Sequence, residues 1–204
     1  MSERSLDKTT FKRIALSPRL VENESYHEIR EAVDIQWGRF LLESGAVPFV
    51  LPTSLNKEHL ASLPIDGIVL TGGNDLNRLS PNPLSEQRDA FETRLVEYGI
   101  EHGIPIFGVC RGFQFLASYF GAELKKIEGH IAVRHQLVNE FYGLSDVNSY
   151  HSWGVFELPA CLEEQTQTAD GSIEAFRHRE LPISAVLWHP EREIPFQKWE
   201  QPWW

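Results

Sequence analysis

Two short segments carry residue types that can break an amide bond. The first is Gly108-Val109-Cys110-Arg111-Gly112, a thiol between two glycines. An apolar run leads into it and a helical pattern leaves it. A Gly-x-nucleophile-x-Gly pattern at such a junction marks a strained turn that lifts its nucleophile above a sheet. The glycines are needed where neighbouring backbones pass close by and a Cβ would clash. Cys110 then stands at a helix N-terminus, whose positive dipole end favours a thiolate. The Arg111 backbone N–H is aimed at the oxygen of a carbonyl under attack. The second segment is Trp188-His189-Pro190-Glu191. A thiolate that cleaves amides needs a partner that takes and returns a proton. His189 ends an apolar strand. In an extended segment positions i and i+2 face the same way, so Glu191 can fix the imidazole tautomer, with Pro190 holding the backbone extended. Glu193 is the rival orienter and His151 the rival base.

Each segment also has a plainer reading. A buried cysteine is often just a small hydrophobe, and a lone histidine is usually a surface or satisfied core residue. The junction of strand and helix gives the reactive reading its weight. Metal chemistry finds no comparable motif. His130 and His135 are five apart, His178 is isolated, and no His-x-x-x-His or Cys-x-x-Cys spacing occurs. No metal and no cofactor are expected.

These segments need a scaffold, and the first half of the chain supplies a βαβ pattern. Arg13 to Ser17 reads as a strand. Ser25 and Glu28 fit a capping box for a helix running to about Ser44, with Ile29, Val33, Trp37, Phe40 and Leu41 as its apolar face. Gly45 is its expected stop. Val47–Leu51, Asp66–Thr71 and Ile104–Val109 read as strands, and Ser85–His102 and Arg111–Phe120 as helices. After Gly121 the pattern changes to short alternating runs, with Asp170-Gly171 as a hairpin signal. The expected architecture is α/β: one doubly wound, mostly parallel sheet spanning 1–204, with antiparallel strands added in the second half. Residues 1–10 are polar and expected to be flexible. The tail from Phe196 carries three tryptophans and is expected to pack back on the domain or form an interface.

Composition narrows the partners. The chain has 204 residues, 42% hydrophobic and 24% charged, which suits one soluble globular domain. A net charge of −10 repels nucleic acid and anionic membrane, so neither is an expected partner. Two cysteines cannot build a disulfide framework, and no membrane-length or signal-like stretch appears. A cytoplasmic setting is expected.

The Gly-Val-Cys-Arg-Gly-Phe-Gln elbow and the Trp-His-Pro-Glu segment together resemble the class I glutamine amidotransferase-like superfamily, and within it the γ-glutamyl hydrolase branch. The resemblance covers most of the chain, taking in Thr71-Gly72-Gly73 and Val147-Asn148-Ser149-Tyr150-His151 in the family's order. It implies a flavodoxin-like sheet and a Cys110-His189-Glu191 triad. It implies an oxyanion hole from the N–H groups of Gly73 and Arg111. Gln114 would contact the γ-glutamyl group of a small-molecule substrate. His151, Ser152 and Trp153 would line the pocket for its α-carboxylate, largely through backbone.

The loop after the first strand, Ser17 to Glu28, faces the ligand crevice expected at strand C-termini, making Arg19, Asn23 and Tyr26 candidates to read the leaving group. That loop resembles a subgroup associated with capsule-polysaccharide gene clusters, in which a γ-glutamyl group is removed from a cytidine-diphosphate amidate. Arg19 and Arg111 suit a phosphate. The chain departs from the family in carrying Leu187 before Trp188, where the family has Gln. Two other readings stand beside the hydrolase: a glutaminase subunit feeding ammonia to a synthetase, and a non-catalytic binding module. The intact Cys, His and Glu weigh against the last. Oligomeric state is left open.

Overall fold

The computed structural model describes residues 11–141 and 143–196. The expectations for residues 1–10 and for Trp199, Trp203 and Trp204 fall outside that range. β1 (Lys12–Ser17) is followed by β2 (Arg19–Glu22), β3 (Ile29–Ala32), α1 (Gln36–Glu43) and β4 (Ala46–Val50). Then come α2 (Lys57–Ala61), β5 (Gly67–Leu70), α3 (Pro83–His102), β6 (Ile106–Val109) and α4 (Arg111–Tyr119). The rest is strand-rich: β7 (Lys125–Lys126), β8 (Ile131–Phe141), β9 (Leu144–Tyr150), β10 (Trp153–Gly154), β11 (Leu162–Gln167), β12 (Ile173–His178) and β13 (Ile183–Val186). A 3-10 turn at Pro190–Arg192 closes the sequence of elements.

Seven strands make the central sheet, in the order β11-β12-β13-β6-β5-β1-β4. β13, β6, β5, β1 and β4 run parallel. β11 and β12 add an antiparallel edge. The chain steps outward from β1 to β4, then returns to the other side of β1 for β5 and β6. Ligand crevices in open α/β sheets form at such reversals, beyond the carboxyl ends of the strands. The segments leaving β1, β5, β6 and β13 carry Arg19, Gly72-Gly73, Cys110 and His189 respectively.

Strand side chains alternate between two cores because successive Cβ atoms face opposite sides. Ala15, Ile68, Leu70 and Ile106 pack with Phe91, Leu95, Phe113 and Leu116 of α3 and α4. Ile14, Leu16, Val69, Phe107 and Val109 pack with Trp37, Phe40 and Leu41 of α1 and with Leu137 and Val147 of the β8–β9 pair. Each fully buried Leu, Ile or Phe contributes about 1.5–3 kcal/mol, which favours this register over one shifted by a residue. Asn82 caps α3 by accepting from the Ser85 N–H at 2.9 Å, and Pro83 occupies the first turn. Phe196 meets Phe40 edge-to-face at 5.7 Å.

One expected element is corrected. The helix from Ser25 to Ser44 begins only at Gln36; its first half holds the turn and the second strand of the β2–β3 hairpin, with Arg19 opposite Ala32 and Glu22 opposite Ile29. The Asn23 side chain accepts from the Ser25 N–H at 3.1 Å, a turn contact that competes with helix capping. Trp37, Phe40 and Leu41 are the buried part of the expected apolar face, whereas Ile29 is 44% exposed.

Candidate active site

Cys110 ends β6 and starts α4 with φ 53° and ψ −102°, a left-handed value that a non-glycine residue holds only under constraint. The constraints are visible. Its N–H donates to the Val186 carbonyl at 2.9 Å, and its carbonyl accepts from the Gln114 N–H at 3.1 Å. A Cβ on Gly112 would sit 2.0 Å from the Leu70 carbonyl oxygen, and one on Gly108 would sit 2.6 Å from that of Gly112. Backbones touch on both sides of the elbow, so both positions must be glycine.

His189 lies beside this turn. Its Nδ1 is 2.7 Å from Glu191 Oε1, and both side chains are buried. The contact does not arise from an extended backbone: Pro190 opens a 3-10 turn that returns Glu191 to the ring. The rival orienter Glu193 has another task. It accepts from the Asn148 N–H at 3.0 Å and from Asn148 Nδ2 at 2.7 Å. Asn148 in turn brackets the His189 backbone, donating to its carbonyl at 2.8 Å and accepting its N–H at 3.0 Å. Burial works against charge on His189, but the negative sulfur of Cys110 and its hydrogen bond to the ring, together with Glu191, raise the imidazole pKa to about 10. The site therefore favours the protonated form of His189.

Gly72 faces the same ring. A Cβ there would lie 2.7 Å from His189 Cε1 and 3.6 Å from Cys110 Cβ. Gly72→Ala is expected to push the imidazole off its hydrogen bonds. Turnover should fall by roughly 100-fold, the penalty for about 1 Å of misplacement. Thermal melting should move little, because the added methyl meets a side chain rather than backbone. Steady-state kinetics and calorimetry on the same sample check this.

A buried charge network holds the Gly72 loop. Arg88, fully buried on α3, donates to the Thr71 carbonyl at 2.7 Å and to the Gly72 carbonyl at 3.0 Å. Its Nε donates to Glu92 at 3.0 Å, and Glu92 accepts from Ser17 Oγ at 2.7 Å. In a trans peptide the N–H points opposite to the preceding carbonyl. With the Gly72 carbonyl tied to Arg88, the Gly73 N–H is directed away from α3. The Arg111 guanidinium joins this network, paired with Glu92 and Asp89. That corrects one expectation: at 2% exposure it is not available to a phosphate. Its backbone N–H, among the first of α4, has no helical acceptor.

Two cavities flank Gly73. One of about 270 Å³ is lined by Cys110, Arg111, Gln114, Tyr150, His151, Ser152 and Trp153, with Gly73 at its edge. Gln114 donates to the Trp153 carbonyl at 3.0 Å. The other, of about 300 Å³, is lined by Arg19, Asp34, Trp37, Gly72, Gly73, His189, Glu191 and Arg192. The Arg19 side chain lies over Gly73, its Cδ 2.7 Å from where a Cβ would be. Arg192 pairs with Asp34 at 3.3 Å and stacks on the Tyr150 ring at 5.0 Å. Of the three residues expected to read a leaving group, only Arg19 lines this cavity. Tyr26 is 57% exposed and bonds Arg30, and Asn23 sits at the turn of the hairpin. The rival base His151 has a fully buried ring beside Glu174.

Residues 39–196 match the family Glutamine amidotransferase class-I. The chain belongs to that family. Cys110, His189 and Glu191 all fall within the matched residues, whereas Arg19 and the β2–β3 hairpin precede them. Among relatives, a gamma-glutamyl-CDP-amidate hydrolase of Campylobacter jejuni is 36% identical over 183 residues, covering 88% of this chain and 90% of that protein. A glutamine-hydrolyzing GMP synthase component of Thermoplasma acidophilum is 31% identical over 167 residues, covering 78% of each. The crystal structure of a glutamine amidotransferase from Thermotoga maritima shares the fold, with a TM-score of 0.61, 16% identity, and coverage of 88% of this chain and 76% of that one. The class I glutamine amidotransferase fold thus accounts for the parallel sheet and its switch point.

Several residues of the site are not marked out by the sequence. Asn148 lies inside the Val147–His151 motif, but its type alone gives it no task there. Arg88 and Glu92 occupy the buried face of α3 between Ser85 and Leu95, and charged residues at i and i+4 on an apolar stripe are the signal that could have found them. Asp34 and Arg192 give no such signal.

Proposed function

We propose that this protein hydrolyses a γ-glutamyl amide, with γ-glutamyl-CDP-amidate as its substrate and Cys110 as nucleophile. The observation that carries the reading is Cys110 and His189 side by side against Gly72, each opening on its own cavity with Gly73 common to both. The C. jejuni relative of that name supports the choice of substrate. So does the chemistry of the His189 side. Arg19 and Arg192 put two guanidinium groups there, suited to a diphosphate leaving group on an otherwise acidic protein.

The γ-carbonyl enters beside Cys110, with the α-amino and α-carboxylate groups toward Gln114 and the Tyr150–Trp153 wall. The thiolate attacks the carbonyl carbon, and its oxygen becomes an oxyanion facing the N–H groups of Gly73 and Arg111. Each such donor contributes about 2.7–4 kcal/mol to the transition state. The His189 imidazolium gives its proton to the leaving nitrogen, the C–N bond breaks, and the nucleotide amidate departs past Arg19 and Arg192. A thioester remains on Cys110. Neutral His189 then takes a proton from water as the water attacks. The second tetrahedral intermediate collapses to glutamate, and the thiolate–imidazolium pair is restored.

The test is glutamate release by the purified chain from γ-glutamyl-CDP-amidate, glutamine and γ-glutamyl amides lacking phosphate. The nucleotide amidate is expected to be turned over at the highest kcat/KM, with Arg19→Met raising KM for it but not for the phosphate-free amides. A higher kcat/KM on glutamine would overturn the substrate assignment. No release from any of them would favour a glutaminase that supplies ammonia to a partner synthetase, a reading that the GMP synthase relative keeps open.

A further inference from the structure

Behind the Tyr150–Trp153 wall lies a second cluster that the hydrolytic chemistry does not use. His130 precedes β8, His135 lies on it, His151 follows β9 and Glu174 lies on β12. One ligand atom from each falls within 4.8 Å of all the others. The rings of His130 and His135 are 4.1 Å apart at their centroids, and those of His130 and His151 are 5.1 Å apart. His130, His151 and Glu174 are 5%, 3% and 0% exposed. Yet His130 Nδ1, His135 Nε2, both ring nitrogens of His151 and both carboxylate oxygens of Glu174 have no hydrogen-bond partner. Buried polar groups in folded proteins are nearly always satisfied, and a converging set of orphans calls for a shared partner.

We propose that His130, His135, His151 and Glu174 bind a divalent transition-metal ion, zinc being the ion their geometry suits best. Three imidazoles and one carboxylate complete the four-coordinate shell of a structural zinc site. Zinc–nitrogen bonds of about 2.0–2.1 Å place tetrahedral ligand atoms roughly 3.3 Å apart, so small side-chain rotations close the observed spacing. The tautomer of His130 is already set. Its Nε2 lies 2.9 Å from Asp170 Oδ2, so that nitrogen carries the proton and Nδ1 presents its lone pair to the cluster. Asp170 is itself held by the Thr168 hydroxyl at 2.5 Å and the Ser172 N–H at 3.0 Å. Such carboxylate–histidine pairs are the usual support of metal ligands.

The metal ties the β8–β9 pair to β12 of the central sheet and fixes the backbone at His151. That residue, with Ser152 and Trp153, lines the cavity holding Cys110. The ion therefore acts on the shape of that wall rather than on the reacting atoms. The four ligands come from positions 130, 135, 151 and 174, separations that no local metal motif contains.

Untagged protein from zinc-supplemented culture should contain about one zinc per chain by elemental analysis after gel filtration. After chelation, titration with Co²⁺ should give the intense visible absorption of a tetrahedral site, bleached by added Zn²⁺. Glu174→Gln and His135→Ala should each weaken binding at least tenfold. Asp170→Asn, which leaves all four ligands in place, should weaken it about 10–100-fold. His102→Ala, remote on α3, should bind as the parent does. Circular dichroism identifies any variant that fails to fold, and Asp170→Asn then stands in for it. A folded parent that binds neither ion, or binding unchanged in Glu174→Gln, His135→Ala and Asp170→Asn, overturns the site.

Discussion

Replacing Cys110 with Ala is expected to lower kcat by about 10⁴- to 10⁶-fold on every γ-glutamyl substrate, the scale seen when a nucleophile or its base is lost from an acyl-transfer triad. The same variant should move a second observable. His189 owes its raised pKa chiefly to the sulfur and then to Glu191, while burial pulls the other way. With the sulfur gone, burial is left opposed by Glu191 alone. The imidazole should then titrate well below about 10, toward or under the ordinary 6.5. Carbon-detected NMR of labelled histidine reads this directly. A ring that still titrates near 10 in the variant would show that Glu191 alone sets its charge. The sign for stability follows from the same shift. Between pH 6.5 and about 10 the folded protein keeps a proton on His189 that an unfolded chain has released. This contribution to stability is complete below pH 6.5 and is lost as the pH rises through the folded value.

Glu92→Gln should cost about 3–5 kcal/mol in urea denaturation, the range for breaking a buried ion pair from one side. Glu92 is fully buried and faces two guanidinium groups, Arg88 and Arg111. Burial alone would raise its pKa, but Arg111 and Arg88 overcome that and hold it below 4.5, so its charged form is the favoured one in the fold. The contribution is present above pH 4.5 and fades as the pH falls through the lowered value. Arg88 has little to spare. Burial, with the neighbouring Arg111, already lowers it to about 10. Asp89→Asn makes the contrast. Burial raises the Asp89 pKa despite Arg111, so its ionised form is disfavoured in the fold, and its side chain is 24% exposed. The cost there should be no more than about 1 kcal/mol. Equal losses for the two variants would remove Glu92 from the centre of the network.

The elbow is legible in the sequence because both of its glycines fall within five residues, one set by the turn itself and the other by the neighbouring strand at Leu70. The inner strands β5 and β6 are equally plain, being short apolar runs buried on both faces. The Ser25 helix fails for a physical reason. Five apolar residues at spacings of three and four satisfy a helical pattern even when the first of them belongs to a hairpin. The pairing of Arg19–Glu22 with Ile29–Ala32 is a non-local choice that no window of that sequence displays. The His189–Glu191 contact is expected on the wrong backbone, since an extended segment and a 3-10 turn can both bring i and i+2 together. Arg111 shows the opposite limit. Its position after Cys110 marks it as a candidate for the site, but only the fold reveals that its guanidinium is buried against Asp89 and Glu92 of α3.

The meeting of the two cavities at Gly73 has a kinetic consequence. On the proposed mechanism, substrates that share the glutamyl portion but differ in amine would converge on one thioester, and from that point they would be chemically identical. Wherever breakdown of the thioester limits turnover, kcat levels off at a common value across leaving groups while kcat/KM spreads widely. Substitutions at Arg19 or Arg192 are then expected to change which amide is chosen without changing how fast glutamate is finally released. Departure of the amine also frees its space while the acyl group is still attached. The released amine can compete there with water and re-form the substrate, so high product concentration should slow net glutamate release, whereas a different amine fitted to Arg19 and Arg192 should yield a new γ-glutamyl amide.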